Sequence, residues 1–262
     1  MGKFQNVLAI ESATSLCSVA LRSGNVVCQL STNAIGKHSS AIFTQAQELL
    51  SSRGLSISDL DVVLLGAGPG SYTGLRVAAS AVKGLLFGQD VTLFGVNTLA
   101  GFAAGMNEFT GDQNVHVIID ARRTHVYTQS FRVGMSTIRD DQSSFAGPKS
   151  ENITLHKSKS ESDVISELVF NPDDYILQSL DSLNGPSLTE IDDLYDRFQD
   201  GDFLIGTGIQ RLNPSNTTGL HIKEIDKTSA IGLIRLFDAG LDQFYARYDV
   251  TDFEPTYLVQ EN

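Results

Sequence analysis

The stretch from Asp61 to Gly88 does most to limit what this chain can fold into. Asp61 to Gly66 reads as a buried apolar strand. Gly68-Pro69-Gly70-Ser71-Tyr72-Thr73-Gly74 then joins it to a segment, running to Gly88, that is apolar or small almost all round. A helix apolar on every side must be covered on every side, by its own domain or by a partner chain. The glycine-rich turn brings free backbone N–H groups and the positive end of a helix dipole to one place, which suits an anion. For a lone glycine-rich turn, a tight turn that permits close packing is the favoured reading. No Gly-Lys-Ser/Thr ends it, so it is not a Walker loop.

The same alternation runs through the rest of the chain. Val7 to Ile10 is a short apolar strand, and Ser18 to Leu21 with Val26 to Leu30 flank the turn residues Arg22-Ser23-Gly24-Asn25, the pattern of a hairpin. Ile42, Ala46, Leu49 and Leu50 recur at helical spacing between His38 and Ser52, with Ser39 as candidate cap and Gly54 as stop. A strand (Val91 to Val96), a helix (Thr98 to Met106), and two strands (Val115 to Asp120, His125 to Phe131) follow. From Gly134 to Asp200 the sequence is polar and weakly periodic, and reads as the loop-rich part of a second subdomain. Phe203 to Gly206 closes as a last strand and Ala230 to Phe244 as a last helix. Strands alternating with helices, with hairpins between, indicate an α/β fold with mixed sheets.

Composition excludes several function classes. With 262 residues, 41% of them hydrophobic, the chain can bury a proper core. No apolar run approaches the roughly 20 residues needed to cross a bilayer. The N-terminus lacks the regions of a signal peptide, and Asn6 stands where a myristoylation signal has Ser or Thr, so the expected compartment is the cytoplasm. A net charge of −12 argues against gripping a polyanion across a broad surface. Cys17 and Cys28 fall in neighbouring strands without Cys-x-x-Cys spacing, and are expected to be reduced packing residues.

Three loops carry the candidate binding chemistry. Ser12, Thr14 and Ser15 follow the first strand, with Glu11 its only acid; they suit phosphate and a carboxylate-held metal, or turn hydroxyls bonded to their own backbone. Gly68, Gly70 and Ser71 form the second loop, and Gly206-Thr207-Gly208 the third. Asp120 and Arg122 are a candidate charge pair. The scattered His38, His116, His125, His156 and His221 form no His-x-x-x-His pair, so no metal site is assigned. With no Gly-x-Ser-x-Gly elbow either, no catalytic residue is assigned.

Leu8-Ala9-Ile10-Glu11-Ser12-Ala13-Thr14, Lys37-His38-Ser39, Gly68 to Arg76, Lys83-Gly84-Leu85, Asp120-Ala121-Arg122-Arg123 with Val126-Tyr127, Gly206-Thr207-Gly208 and Pro255-Thr256-Tyr257-Leu258 occur in one order. In that order they resemble the TsaB (YeaZ) family, over nearly the whole chain. The resemblance implies an actin-like, ribonuclease H-like fold of two related subdomains, non-catalytic, with sheets flanked by helices. On that frame the first subdomain covers 1–108, the second 109–227, a helix over 228–246 returns to the first, and 247–262 is a tail. Glu11 stands where the family commonly has Asp, and Ser40 where Glu follows His-Ser.

The resemblance also implies partners. A TsaD-like subunit would carry the metal and the threonylcarbamoyl transfer to tRNA, a TsaE-like ATPase would complete the assembly, and the chain alone would be a homodimer. The tRNA would be held mainly by the partners. The implied pairing surface uses His38, Ile42 and Phe43 on one helix, with Gly74, Leu75, Arg76, Ala78, Ala81 and Val82 on the next. ATP or ADP at the subunit junction is the implied cofactor, with Ser12, Thr14, Gly68, Gly70, Ser71, Gly206 and Gly208 as candidate contacts. The residues leave rival readings open: a small-molecule kinase or ATPase using Glu11, Ser12 and Thr14 around Mg-ATP, a peptidase, or a self-associating module.

Overall fold

The computed structural model describes residues 4–34, 36–106, 111–136, 166–170, 176–223 and 229–258. The subdomain boundaries at 108/109 and 227/228, and His156, fall outside these residues.

The first sheet starts from β1 (Asn6–Glu11), which has a strand on each side and is buried from Val7 on because both faces are covered, Val7 and Ala9 in one core and Leu8 and Ile10 in another. β2 (Leu16–Ser23) and β3 (Val26–Asn33) follow as an antiparallel hairpin, with Gly24 at φ +58° in its turn. β4 (Val62–Gly66) and β5 (Thr92–Val96) add on the other side of β1, parallel to it. A second sheet repeats this plan. β6 (Gly111–Asp120) and β7 (His125–Ser136) form its hairpin, β10 (Ser187–Glu190) pairs with β7, and β11 (Phe203–Ile205) and β12 (His221–Lys223) run parallel beyond β6. The core orders are therefore β3-β2-β1-β4-β5 and β10-β7-β6-β11-β12, the same path twice.

Three further strands modify the sequence reading. β8 (Ser166–Phe170) extends the first sheet beyond β3, β9 (Ile176–Ser182) pairs with β7, and β13 (Tyr245–Tyr248) closes the first sheet beside β5. The stretch from Gly134 to Asp200 thus holds strands where the sequence suggests loops. The closing helix is also shorter than its apolar pattern, ending at Asp238, because the chain turns back to form β13.

Helices cover both faces of the first sheet. α1 (His38–Ser52) buries Ile42, Ala46, Leu49 and Leu50 as its periodicity requires, and ends at Gly54, φ +66°. Its cap position is Lys37 rather than Ser39, and no side chain caps it. α2 (Tyr72–Leu85) is capped by Ser71, whose hydroxyl accepts from the Gly74 N–H. It buries Gly74, Leu75, Ala78, Ala79, Ala81 and Val82 but leaves Tyr72, Thr73, Arg76, Ser80 and Gly84 exposed, so its own chain covers one side only. Small residues that count as apolar in the sequence make it look uniform.

α3 (Thr98–Ala104) and α4 (Ser229–Asp238) lie between the two sheets, in a core that takes Val7, Ala9 and Leu64 from one and Val115, Val117 and Phe131 from the other. They touch backbone to backbone: a Cβ on Gly232 would stand 1.8 Å from the Gly101 carbonyl oxygen. The outer face of the second sheet is covered by short 3₁₀ segments at Ile191–Arg197 and Ile209–Arg211, which pack Leu194 and Ile209 on Ile118 and Val126. Both cysteines are free and buried; burial, with Glu11 nearby, pushes the Cys17 thiol up to about 12. Among the described residues no helix is long and apolar enough to cross a membrane.

Candidate functional site

The loops after β1, before α1, before α2 and after β6 meet around a cleft of about 1140 Å³. Thr14, Gly70 and Ser71 line it, joined by His38, Tyr127 and Thr207. The β1 and α2 loops are pressed together. Ser71 N–H donates to the Ala13 carbonyl at 2.7 Å, the Ser12 hydroxyl donates to the Gly74 carbonyl at 3.1 Å, and a Cβ on Gly70 would stand 2.5 Å from Ala13 Cβ. Ser12 is therefore spent on holding the loops and does not face the cleft. Gly68 likewise lies behind the rim, its N–H donating to Thr98 Oγ1 at 3.1 Å.

The third loop contributes Thr207 alone. Gly206 and Gly208 sit against β6: a Cβ on Gly206 would meet the Ile118 carbonyl oxygen at 2.0 Å, and Gly208 N–H donates to that oxygen at 2.9 Å. Close packing explains both glycines. The structure also corrects the Asp120–Arg122 pair. Asp120 forms its ion pair with Arg211, and Arg122 reaches it only through a backbone N–H at 2.8 Å. Arg211 carries no local signal of this, since it comes from a short 3₁₀ turn far along the chain.

Glu11 is turned away from the cleft and is fully buried. Its Oε1 accepts the N–H groups of Ser12 and Ala13 at 2.8 and 2.7 Å, and its Oε2 accepts the Thr98 hydroxyl at 2.9 Å. Burial outweighs these bonds and raises the carboxyl to about 7. The N–H donors that a phosphate would use on this loop are thus already taken by the chain's own carboxylate. Among the described residues no group of three or more His, Cys, Asp or Glu side chains could hold a metal ion.

A second feature lies on the outer face of α1 and α2. Of the six large apolar side chains exposed among the described residues, Phe43, Tyr72, Phe87 and Tyr257 lie on or beside this helix pair, Phe87 being 87% exposed. The Tyr72 and Tyr257 rings stand 5.0 Å apart, and the Arg76 guanidinium lies 5.2 Å over Tyr72 while bonding its hydroxyl. Gly84 leaves one side of Phe43 open. Of the interface residues expected from the sequence, Phe43 and Arg76 are on this surface and His38 is half-buried at the cleft, where Nε2 stands 3.1 Å from the Thr14 carbonyl oxygen. Ile42, Gly74, Leu75, Ala78, Ala81 and Val82 are inside the core of this chain.

Several curated proteins similar to this chain carry the name TsaB. The tRNA threonylcarbamoyladenosine biosynthesis protein TsaB of Haemophilus influenzae is 27% identical over 97% of this chain and 94% of its own length. TsaB of Escherichia coli is 32% identical over 56% of this chain and 61% of that one. The chain is similar to TsaB proteins over nearly its whole length. A family model described as TsaD, tRNA N6-adenosine threonylcarbamoyltransferase, also matches residues 29–153. YeaZ from Pseudomonas aeruginosa superposes with a TM-score of 0.67 at 19% identity, covering 97% of this chain and all of that one, so the two share this fold of two mixed sheets flanked by helices. Several of the motifs that carry the TsaB resemblance, those at Ala13-Thr14, Lys37-His38-Ser39, Gly70 to Gly74, Asp120 to Arg122 and Thr207, contribute residues to the cleft.

Proposed function

We propose that this chain is a non-catalytic partner subunit of a TsaD-like transferase, required for threonylcarbamoylation of the adenosine adjacent to the anticodon in tRNA. The names of its relatives, one of which matches over nearly the whole chain, support the pathway. The observation that supports a pairing role is the α1–α2 face, where exposed aromatic side chains cluster on one side of two otherwise well-buried helices. Monomeric proteins seldom leave such a group together without a partner for it. Phe43, Tyr72, Arg76 and Phe87 are its contact residues in this reading, and Ala78, Ala81 and Val82 support them from beneath.

Homodimerisation of the free chain would use the same face, giving way to the TsaD-like subunit. A TsaE-like ATPase and the tRNA would join the assembled complex. ATP or ADP, if held, would sit in the cleft lined by Thr14, Gly70 and Ser71. Glu11 argues against an independent kinase, because its carboxylate fills the loop that a phosphate would need. Reconstitution tests the reading: the TsaD-like protein of the same organism should modify tRNA from a threonylcarbamoyl-adenylate donor only when this chain is present. Full modification without it would defeat the proposal, as would magnesium-dependent ATP turnover by the isolated chain.

A further inference from the structure

Arg122 and Arg123 form the tip of the β6–β7 hairpin with φ of +69° and +51°. They are the two non-glycine residues at positive φ among the described residues. That region is disfavoured for any side chain with a Cβ, and arginine lacks the short polar side chain with which Asn or Asp offsets the strain. Asn or Gly would make the same turn with less strain. A turn that keeps two arginines in this conformation retains them for their side chains, and strain of this kind gathers at functional positions.

Both residues are exposed, and neither guanidinium has an acidic partner among the described residues. The neighbouring acid is already satisfied, since Asp120 is paired with Arg211 and accepts the Arg122 N–H. Arg122 lines the mouth of the cleft together with Lys37 and His38, whereas Arg123 is not among the lining residues. A small anion inside the cleft would meet one arginine of the pair. A chain of phosphates laid across the mouth would meet both. Against a net charge of −12, two unneutralised cations on one tip form a local contact rather than a broad basic surface.

We propose that the Arg122–Arg123 tip contacts the phosphodiester backbone of RNA lying across the mouth of the cleft. This rests on the functional reading above, in which that RNA is the tRNA substrate. The contact positions the RNA and reads no base.

The test uses the complex of this chain with the TsaD-like protein, titrated with tRNA from the same organism at several salt concentrations. In the double variant Arg122→Asn, Arg123→Gly the hairpin is relaxed, so the unfolding temperature should hold or rise, and pairing seen by light scattering should be unchanged. Affinity for tRNA should fall at least about tenfold, and the salt dependence should lose about two counterions. The double Arg-to-Lys variant, which keeps the charge, should retain most of the affinity. Unchanged tRNA affinity in the Asn-Gly variant would overturn the contact while leaving the functional reading intact. Loss of ATP retention or of subunit pairing, with tRNA binding kept, would assign the tip to a small anion or to a partner's carboxylate and overturn it too. Failure of the wild-type chain to form the complex would instead overturn the functional reading, and this contact with it.

Discussion

The carboxylate of Glu11 occupies the space in which Gly66 would carry a side chain: a Cβ there would stand 2.1 Å from Oε2 and 2.6 Å from Cδ. The two residues end neighbouring parallel strands, β1 and β4, so neither backbone can yield without disturbing the centre of the first sheet. Gly66→Ala should therefore destabilise the chain by about 3 kcal/mol, combining overpacking with displacement of a hydrogen-bonded carboxylate. In a Glu11→Ala background the same change should cost under about 1 kcal/mol. Denaturant unfolding of the four proteins measures the coupling, and additive costs would refute the contact.

Stability should also fall with rising pH because of this group. Its carboxyl titrates near 7 in the folded chain and near 4.5 when unfolded, so between these values the native state holds a proton that the unfolded state has lost. The contribution is most favourable below pH 4.5, declines as pH rises toward 7, and leaves a deficit on the order of 3 kcal/mol above it. Glu11→Gln, whose carbonyl can still accept from Ser12 and Ala13, should flatten this component and unfold at a higher temperature than wild type at pH 8. Parallel pH profiles for the two proteins would show that Glu11 does not titrate in this range.

His116 bridges the second sheet: one ring nitrogen lies 2.7 Å from Ser130 Oγ and the other 2.9 Å from Asp202 Oδ2. All three residues are buried, and Asp202 also takes the Gln199 N–H and the Asn114 amide. The trio has the composition of a hydrolase triad but is buried, and it ties β6, β7 and the turn before β11 together. His116→Ala should cost about 3 kcal/mol by opening a cavity between the strands and removing the ring's hydrogen bonds to buried Ser130 and Asp202. Pairing with the TsaD-like subunit should survive, as read by light scattering below the melting temperature.

Much of this architecture is legible because its information is local. The hairpin Leu16–Asn33, the stripe Ile42, Ala46, Leu49 and Leu50, and the turn from Gly68 to Gly74 each declare an element within a few residues. β8 does not, because five residues paired to β3 from far along the chain have no periodicity of their own to reveal the partner. Thr14, Gly70 and Ser71 come together at the cleft, since each lies in a turn that follows a strand. What the pattern cannot show is direction. Glu11 points inward and Gly206 presses on Ile118, although both stand in segments that suit a phosphate. The same limit applies on α2, where Ala78 and Arg76 are equally close in sequence to a pairing surface but only Arg76 is exposed.

Substitutions on α1 and α2 should separate into two classes for that reason. Ala78→Asp places a charge in a fully buried position and should unfold the chain before it can report on pairing. Tyr72→Asp and Phe43→Asp alter exposed side chains and should leave the unfolding temperature within a few degrees of wild type while weakening pairing at least about a hundredfold. Thermal melts and a binding titration on each variant provide the comparison. If both surface variants pair normally, the contact lies elsewhere.

The most direct measurement of the central claim is light scattering on a sizing column, with this chain run alone and then mixed with the TsaD-like protein from the same organism. The account predicts a homodimer that is replaced on mixing by a heterodimer, and no such replacement with Tyr72→Asp. Separate elution of the two proteins at micromolar concentrations, with nucleotide present, would contradict it.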